Sequence, residues 1–191
     1  MAINLSTFKT ALTFGGARPS LFDLKIYAPV SSIDGLEALS KVEHHCSVSS
    51  GIPELTVTPI EKNYFGRIVK FPGELTFGAL TTTFTNTEDY EIRTAFEVWH
   101  EALNGGQSNL GISGTVADWT GTVQLTQYQK DGGANGSQEY SFIDCWPSAI
   151  GAIELNYDTV GDMETFDITW EYNYYTSINF HEDAGSFDTQ D

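Results

Sequence analysis

Basic side chains are scarce in this chain. Nine Lys and Arg stand against 26 Asp and Glu, a formal net charge of −17 over 191 residues. Affinity for phosphate comes from cationic side chains, so a sequence-independent nucleic-acid reader is disfavoured. Long apolar runs are also missing: no window of about 18 consecutive apolar residues would cross a bilayer as a helix. Met1 to Leu12 lacks the basic start and extended apolar run of a secretion signal, so the expectation is a chain made in a cytoplasm. Only two cysteines occur, Cys46 and Cys145. Without a secretory context, two thiols read as packing residues rather than a bridge. A chain of this length buries roughly 70% of its unfolded surface as one domain and needs no staple.

Signatures of chemistry are equally thin. His100-Glu101 begins a zinc-protease string, but the second histidine would stand four residues on, and that position is Asn104. His44-His45-Cys46 is a run of metal-ligating types; neighbouring strand residues point to opposite faces, and no second group with fitting spacing follows. Nucleophile elbow, phosphate loop and dinucleotide fingerprint are absent. Asp167 and Glu171 lie on one strand four residues apart, ~13 Å, too far for a retaining glycosidase pair. Asn135-Gly136-Ser137 has the form of a glycosylation sequon and reads as a turn.

What is present is alternation. From Glu164 onward Phe166, Ile168, Trp170, Tyr172 and Tyr174 share one strand face, while Thr165, Asp167, Thr169, Glu171 and Asn173 share the other. One face reads as core, the other as acidic and wet. A single helix stands out at about 88–104: Ile92, Ala95, Phe96, Trp99, Ala102 and Leu103 form an apolar stripe. Thr85 and Glu88 have capping-box spacing at its start, and Asn104-Gly105-Gly106 supplies a left-handed stop. Phe96, Trp99, Trp146, Phe166 and Trp170 are the expected core anchors, with Trp146-Pro147 a corner.

Further strands are expected at 21–28, 42–50, 75–84, 121–130 and 139–145, the last two joined by the turn at 131–137. A largely polar, projecting β-hairpin is expected at about 52–72, with Glu61-Lys62-Asn63 near its tip. Residues 31–39 and 107–120 read as loops. The predicted fold class is α+β, mostly β: an antiparallel β-sandwich or small barrel with one flanking helix. We expect one domain over 1–191, with an N-terminal contact arm at 1–18 and an acidic tail at 181–191.

Several stretches together resemble the major tail tube protein of contractile-tailed bacteriophages. They are Arg18-Pro19-x-Leu21-Phe22 before the first strand, Phe65-Gly66-Arg67-Ile68 with Phe71-Pro72-Gly73 in the place of that family's long hairpin, and Phe96-x-x-Trp99 in the helix. Trp146-Pro147-x-x-Ile150-Gly151-x-Ile153-x-Leu155-x-Tyr157-Asp158 and Glu164-Thr165-Phe166 follow. The resemblance implies a structural protein of the virion tail, assembled in the host cytoplasm, with no catalysis, cofactor, metal or membrane. Its implied partners are other copies in stacked homohexameric rings, a sheath, a baseplate and a tail terminator, with DNA crossing the bore without specific binding. Asp167, Thr169 and Glu171 are then lumen-lining candidates, and Arg18, Glu61, Lys62, Arg67 and Lys70 subunit-contact candidates. Two other readings stay open: the tube of a type VI secretion or related contractile injection system, similar to haemolysin-coregulated protein, and an acidic carbohydrate-active or carbohydrate-binding β-sandwich.

Overall fold

Alternating sequence builds most of the architecture. The computed structural model describes residues 9–10, 16–49, 51–130, 137–156, 158, 161 and 163–177. The acidic tail at 181–191, most of the N-terminal arm and of the turn at 131–137, and the sequon's Asn135 and Gly136 lie outside them. The described strands are β1 (Phe22–Tyr27), β2 (Cys46–Ser49), β3 (Leu55–Tyr64), β4 (Arg67–Phe77), β5 (Leu80–Thr85), β6 (Gly121–Gln127), β7 (Gln138–Ile150), β8 (Thr165–Glu171) and β9 (Tyr174–Ser177). Helix α1 spans Glu91–Leu103, α2 is the single turn Val116–Trp119, and a 3-10 helix covers Glu37–His44.

Seven strands form one antiparallel sheet in the order β1-β6-β7-β8-β5-β2, with β9 also on β7; β3 and β4 form a separate ribbon. β1 and β2 end the order, so the sheet is open and does not close into a barrel. β7 is its spine. Its first half pairs with β6 (Val123 opposite Phe142) and with β9 (Phe142 opposite Tyr175), and its second half pairs with β8 (Ile150 opposite Ile168). β8 and β9 therefore follow one another along the same edge of β7, interrupted at Tyr172-Asn173. At that break Asn173 donates to Ile143 O (3.2 Å) and, through Nδ2, to Asp144 Oδ2 (2.8 Å).

The inward residues of the two halves enclose one core. Leu24, Ile26, Val123, Leu125 and Phe142 come from one side, and Leu80, Phe84, Phe166, Ile168 and Trp170 from the other. α1 adds Ile92, Ala95, Phe96 and Trp99, the period of 3.6 placing them on one stripe. The 3-10 segment adds Leu36, Leu39 and Val42. Phe84, Phe96, Phe166, Trp99 and Trp170 meet at ring separations of 5.3 to 6.2 Å, mostly edge to face or tilted. Full burial of each such ring stabilises by ~1.5–3 kcal/mol, provided polar edges are satisfied. They are: the indole N–H of Trp99 donates to Trp119 O (2.9 Å), and that of Trp170 to Thr82 Oγ1 (2.8 Å).

Local signals mislead in five places. α1 starts at Glu91, not 88, because Thr85 belongs to β5, paired with Thr165; Tyr90, at φ 55, precedes the helix. Its end is not left-handed, since Asn104 is extended (φ −157). The true capping box lies in the 107–120 loop, where Thr115 and Asp118 cap α2. Trp146-Pro147 is no corner: β7 runs through it, with a bulge just after Pro147, the kind of place where a strand tolerates proline. Finally, the break at Tyr172-Asn173 shifts the alternation, so Tyr175 points inward and Tyr174 is exposed.

Candidate assembly surfaces

The ribbon β3–β4 is the part of the described chain whose residues stay wet. Its register runs from Leu55 opposite Phe77 to Tyr64 opposite Arg67, with a bulge between Val57 and Pro59. The hairpin runs past the expected end near 72, since β4 continues to Phe77, and Glu61-Lys62-Asn63 lies within β3 rather than at the tip. The tip is Phe65-Gly66, a two-residue turn with positive φ at both positions (45 and 82), the signature of a type I′ hairpin turn. Nor is the ribbon largely polar: Leu55, Val57, Ile60, Tyr64, Phe65, Ile68, Phe71 and Leu75 are all exposed, Phe65 by 93%.

Among the described residues, the body holds the ribbon at its root. Gly78 N donates to Glu54 O (2.9 Å), and the Phe77 ring packs edge-on against Tyr172 and Tyr175. Tyr172 donates its phenol proton to Gly78 O (2.6 Å); burial pushes that phenol up to about 12. Near the tip, Glu61 and Lys70 face each other across the ribbon and form an ion pair of 2.9 Å. Lys62 and Arg67 stand on the other face, flanking Tyr64, and neither joins an ion pair among the described residues. Arg18 is exposed beside β1, its carbonyl accepting from Leu21 N.

A second surface is the outward face of β5 and β8. Asp167 and Glu171 are exposed and Thr169 is half-buried on β8; across the ladder stand Thr85, Thr83 and Thr81. Thr83 donates to Asp167 Oδ1 (2.6 Å). The face therefore joins a threonine ladder to two carboxylates, and no Lys or Arg lies on either strand. The aromatic anchors divide. Phe96, Trp99, Phe166 and Trp170 are buried, whereas Trp146 is half-buried and lines an open groove with Leu103, Ile112 and Trp119. The reason is backbone: Asp144, at φ 56, twists β7 so that Cys145 and Pro147 take the inward side.

Other groups are structural in their surroundings. Cys145 is fully buried, and burial pushes its thiol up to about 12. Arg93 sits over the Phe166 ring (5.2 Å), donates to Gly151 O (2.8 Å) and pairs with Glu97 (2.7 Å), tying α1 to the β7–β8 connection. Asp118 is held below the usual carboxylate range by the Thr115 backbone N–H and hydroxyl. Among the described residues no group of three or more His, Cys, Asp or Glu side chains is placed to hold a metal ion. No helix among them is long and apolar enough to cross a membrane.

Two recesses accompany these faces. One, of about 170 Å³, lies between β1, β6 and β7 and is lined by Pro19, Phe22, Gly51, Ile52, Leu125, Gln127 and Tyr140. The other is the Trp119–Trp146 groove. Sequence reasoning missed the first recess and the aromatic tip. The tip was legible in Phe65-Gly66 between two alternating runs; the recess, built from four distant segments, was not.

Comparison with known proteins places these features in a family context. A family model described as phage tail tube protein matches residues 17–178. The chain is 26% identical to tail tube protein gp19 of Enterobacteria phage T4 over 159 residues, 83% of this chain and 90% of that one. It is 26% identical to the tail tube protein of Serratia phage KSP90 over 133 residues, 70% and 72% of the two chains. In fold it is similar to a chain of the extended sheath–tube complex of an extracellular contractile injection system, PVC (TM-score 0.56, 12% identity, 92% and 98% covered). The tube-terminating cap of the anti-feeding prophage is similar too (TM-score 0.59, 11% identity, 93% of each chain).

Proposed function

The chain belongs to the phage tail tube protein family, and from that premise we propose that it is a structural subunit of a virion tail tube, six copies forming each ring and rings stacking into a hollow conduit. A sheath encloses the tube, a baseplate and a terminator bound its ends, assembly takes place in the host cytoplasm, and DNA crosses the bore. Residues 1–191 act as one tube domain, whose role is mechanical and uses no cofactor. Fold likeness to injection-system proteins at 11–12% identity leaves the phage reading in front, because the sequence relatives named above are phage tail tube proteins.

The observation that carries the reading is the ribbon. An isolated two-stranded hairpin is marginal in water, and this one holds eight large apolar side chains in solvent. Burial between copies supplies the support that the chain itself does not. Arg18, Lys62 and Arg67 then meet acids of neighbouring copies, and the Glu61–Lys70 pair belongs to the same contact zone. Such rim pairs are worth ~0–1 kcal/mol each, so apolar burial repeated over many copies sets the assembly.

Asp167, Thr169 and Glu171, with their threonine ladder, form the bore wall in this reading. Like charge on wall and phosphate acts over a Debye length of about 8 Å and prevents the counterion-releasing contacts that would hold DNA. Electron microscopy of the purified chain at high concentration, with and without moderate salt, tests the proposal. Hollow tubes of uniform width are expected, more abundant with salt as self-repulsion is screened. Monodisperse particles throughout would reject self-assembly, and a tube map with Asp167 and Glu171 facing away from the bore would reject the wall assignment.

A further inference from the structure

Phe65 is an expensive choice for its position. The first residue of a type I′ turn has positive φ, where Asn, Asp or Gly sit at little strain and a bulky side chain is an outlier. Phe65 adopts φ 45 there and leaves its ring 93% exposed, and the aromatic ring against it among the described residues is that of the neighbouring Tyr64, at 4.7 Å. Neither the turn nor any other described residue has a use for a phenyl group. Backbone strain and solvent exposure at one residue point to a contact outside the chain.

The same chain carries a recess of matching chemistry. The cavity bounded by Phe22, Ile52, Leu125 and Tyr140 measures about 170 Å³. An apolar cavity near 150 Å³ is large enough to take benzene. The tip of the same copy cannot reach it: Ile52 lies at the root of the ribbon, and the ten residues of β3 carry the tip ~30 Å away. Knob and hole thus sit at opposite ends of one ribbon. A projection and a complementary hole at different places on one molecule generate a heterologous contact, which propagates into rings or stacks instead of ending as a dimer.

We propose that Phe65 of one copy inserts into the recess at Phe22, Ile52, Leu125 and Tyr140 of a second copy. The occupant is another copy of this chain on grounds of charge as well as shape. From Glu61 to Lys70 there are three bases and one acid, while the whole chain is at −17; Asp23, Glu54 and Glu139 lie one or two positions in sequence from lining residues. The positive tip is therefore the part of one copy least repelled by the body of the next. This rests on the tube reading and adds to it a specific pair of surfaces.

The test replaces Phe65 with the photoreactive p-benzoylphenylalanine in the full chain, mixes heavy-isotope-labelled and unlabelled copies, and maps the ultraviolet adducts by mass spectrometry. Electron microscopy of the wild type, Phe65→Asn and Ile52→Asp runs beside it. Adducts between copies at Ile52, Leu125 or Tyr140 are expected. Phe65→Asn should need at least tenfold more protein to assemble while its melting temperature holds or rises, since Asn suits the turn; Ile52→Asp should weaken assembly from the other side. Wild-type tubes with adducts elsewhere, or with both variants assembling normally, overturn the insertion and leave the tube reading standing. A wild type that neither assembles nor crosslinks between copies overturns both.

Discussion

β8 and β3 are both alternating strands, yet they end in opposite environments. In β8 Phe166, Ile168 and Trp170 are buried within seven residues; in β3 none of ten residues is buried, although Leu55, Val57 and Ile60 are as apolar. The difference lies in partners. β8 has β5 and β7 on its two edges and α1 against its inner side, so its apolar face meets a second layer. β3 has β4 alone. A strand pattern encodes a face that seeks burial, and the fold decides whether the covering layer comes from the same chain or another. Here the described body covers its own apolar faces, whereas the ribbon, in the proposed tube, is half of an interface.

The largest effect that would break this comparison is in the body. Trp170→Ala removes a fully buried indole, its bond to Thr82 and its contacts with Phe96 and Trp99. Loss of ~3–5 kcal/mol of unfolding free energy is expected from denaturant titration. Ile60→Ala, half-exposed in the ribbon, should cost under ~1 kcal/mol in the unassembled chain and show its effect in assembly. Equal losses would mean that the ribbon already has its covering layer.

An intermediate effect is expected at Arg93, where α1 meets the β7–β8 connection. Its guanidinium combines a stacked ring, a carbonyl and an i,i+4 carboxylate. Arg93→Ala should lose ~1–3 kcal/mol. Arg93→Lys should recover little, because a point charge cannot reproduce the planar stack and fork. Full rescue by lysine would reduce the site to charge alone.

These elements differ in how openly the sequence announced them. The α1 stripe was legible because period and burial coincide at Ile92, Ala95, Phe96 and Trp99. Its start was not: Thr85 and Glu88 mimic a capping box, but Thr85 is claimed by pairing with Thr165, eighty residues away in the chain. The ribbon's existence was legible in its alternating runs and its position opposite a family hairpin, but its polarity was misjudged. The charges at Glu61, Lys62, Arg67 and Lys70 and the prolines at 53 and 59 point to a polar projection, while apolar residues spread over both ribbon faces leave no single core-facing period. Trp146 shows the same limit, since the turn in β7 that moves it to the flank arises from Asp144 and the change of partner from β6 to β8. Assembly surfaces are hardest to read, because Phe65 acquires a role only beside a recess made from residues 19, 22, 52, 125, 127 and 140.

A smaller effect should appear in alkali, and it belongs to the body. Burial raises the folded-state pKa of Cys145 and of Tyr172 to about 12 in each case. For both groups the neutral, protonated form is the one the fold prefers. Their contribution is complete below the unfolded values, ~8.5 and ~10, and is lost as pH rises through that window toward 12. Circular dichroism melts from pH 8 to 12 should decline across it, with the Cys145 thiol unreactive to a disulfide reagent at pH 9 until the chain unfolds. A reactive Cys145 in the native protein at pH 8 would contradict its burial.

The smallest effect tests the ribbon. Glu61 and Lys70 are exposed, directly opposite, and 2.9 Å apart. As a solvent-screened surface pair they are worth ~0–1 kcal/mol, so Glu61→Gln should leave the melt of the unassembled chain nearly unchanged, and the remaining difference should vanish in high salt. Its consequence for assembly should be larger and of opposite sign to a simple loss. Freeing Lys70 raises the positive excess at the tip, strengthening attraction to the acidic body of a neighbouring copy at low salt. Assembly measured by light scattering should therefore begin at lower protein concentration for Glu61→Gln in dilute buffer, with the advantage fading as salt rises. If the variant instead assembles poorly at every salt concentration, the ion pair is needed to hold the ribbon's shape, and the line between a finished body and an unfinished ribbon must be drawn further out along the hairpin.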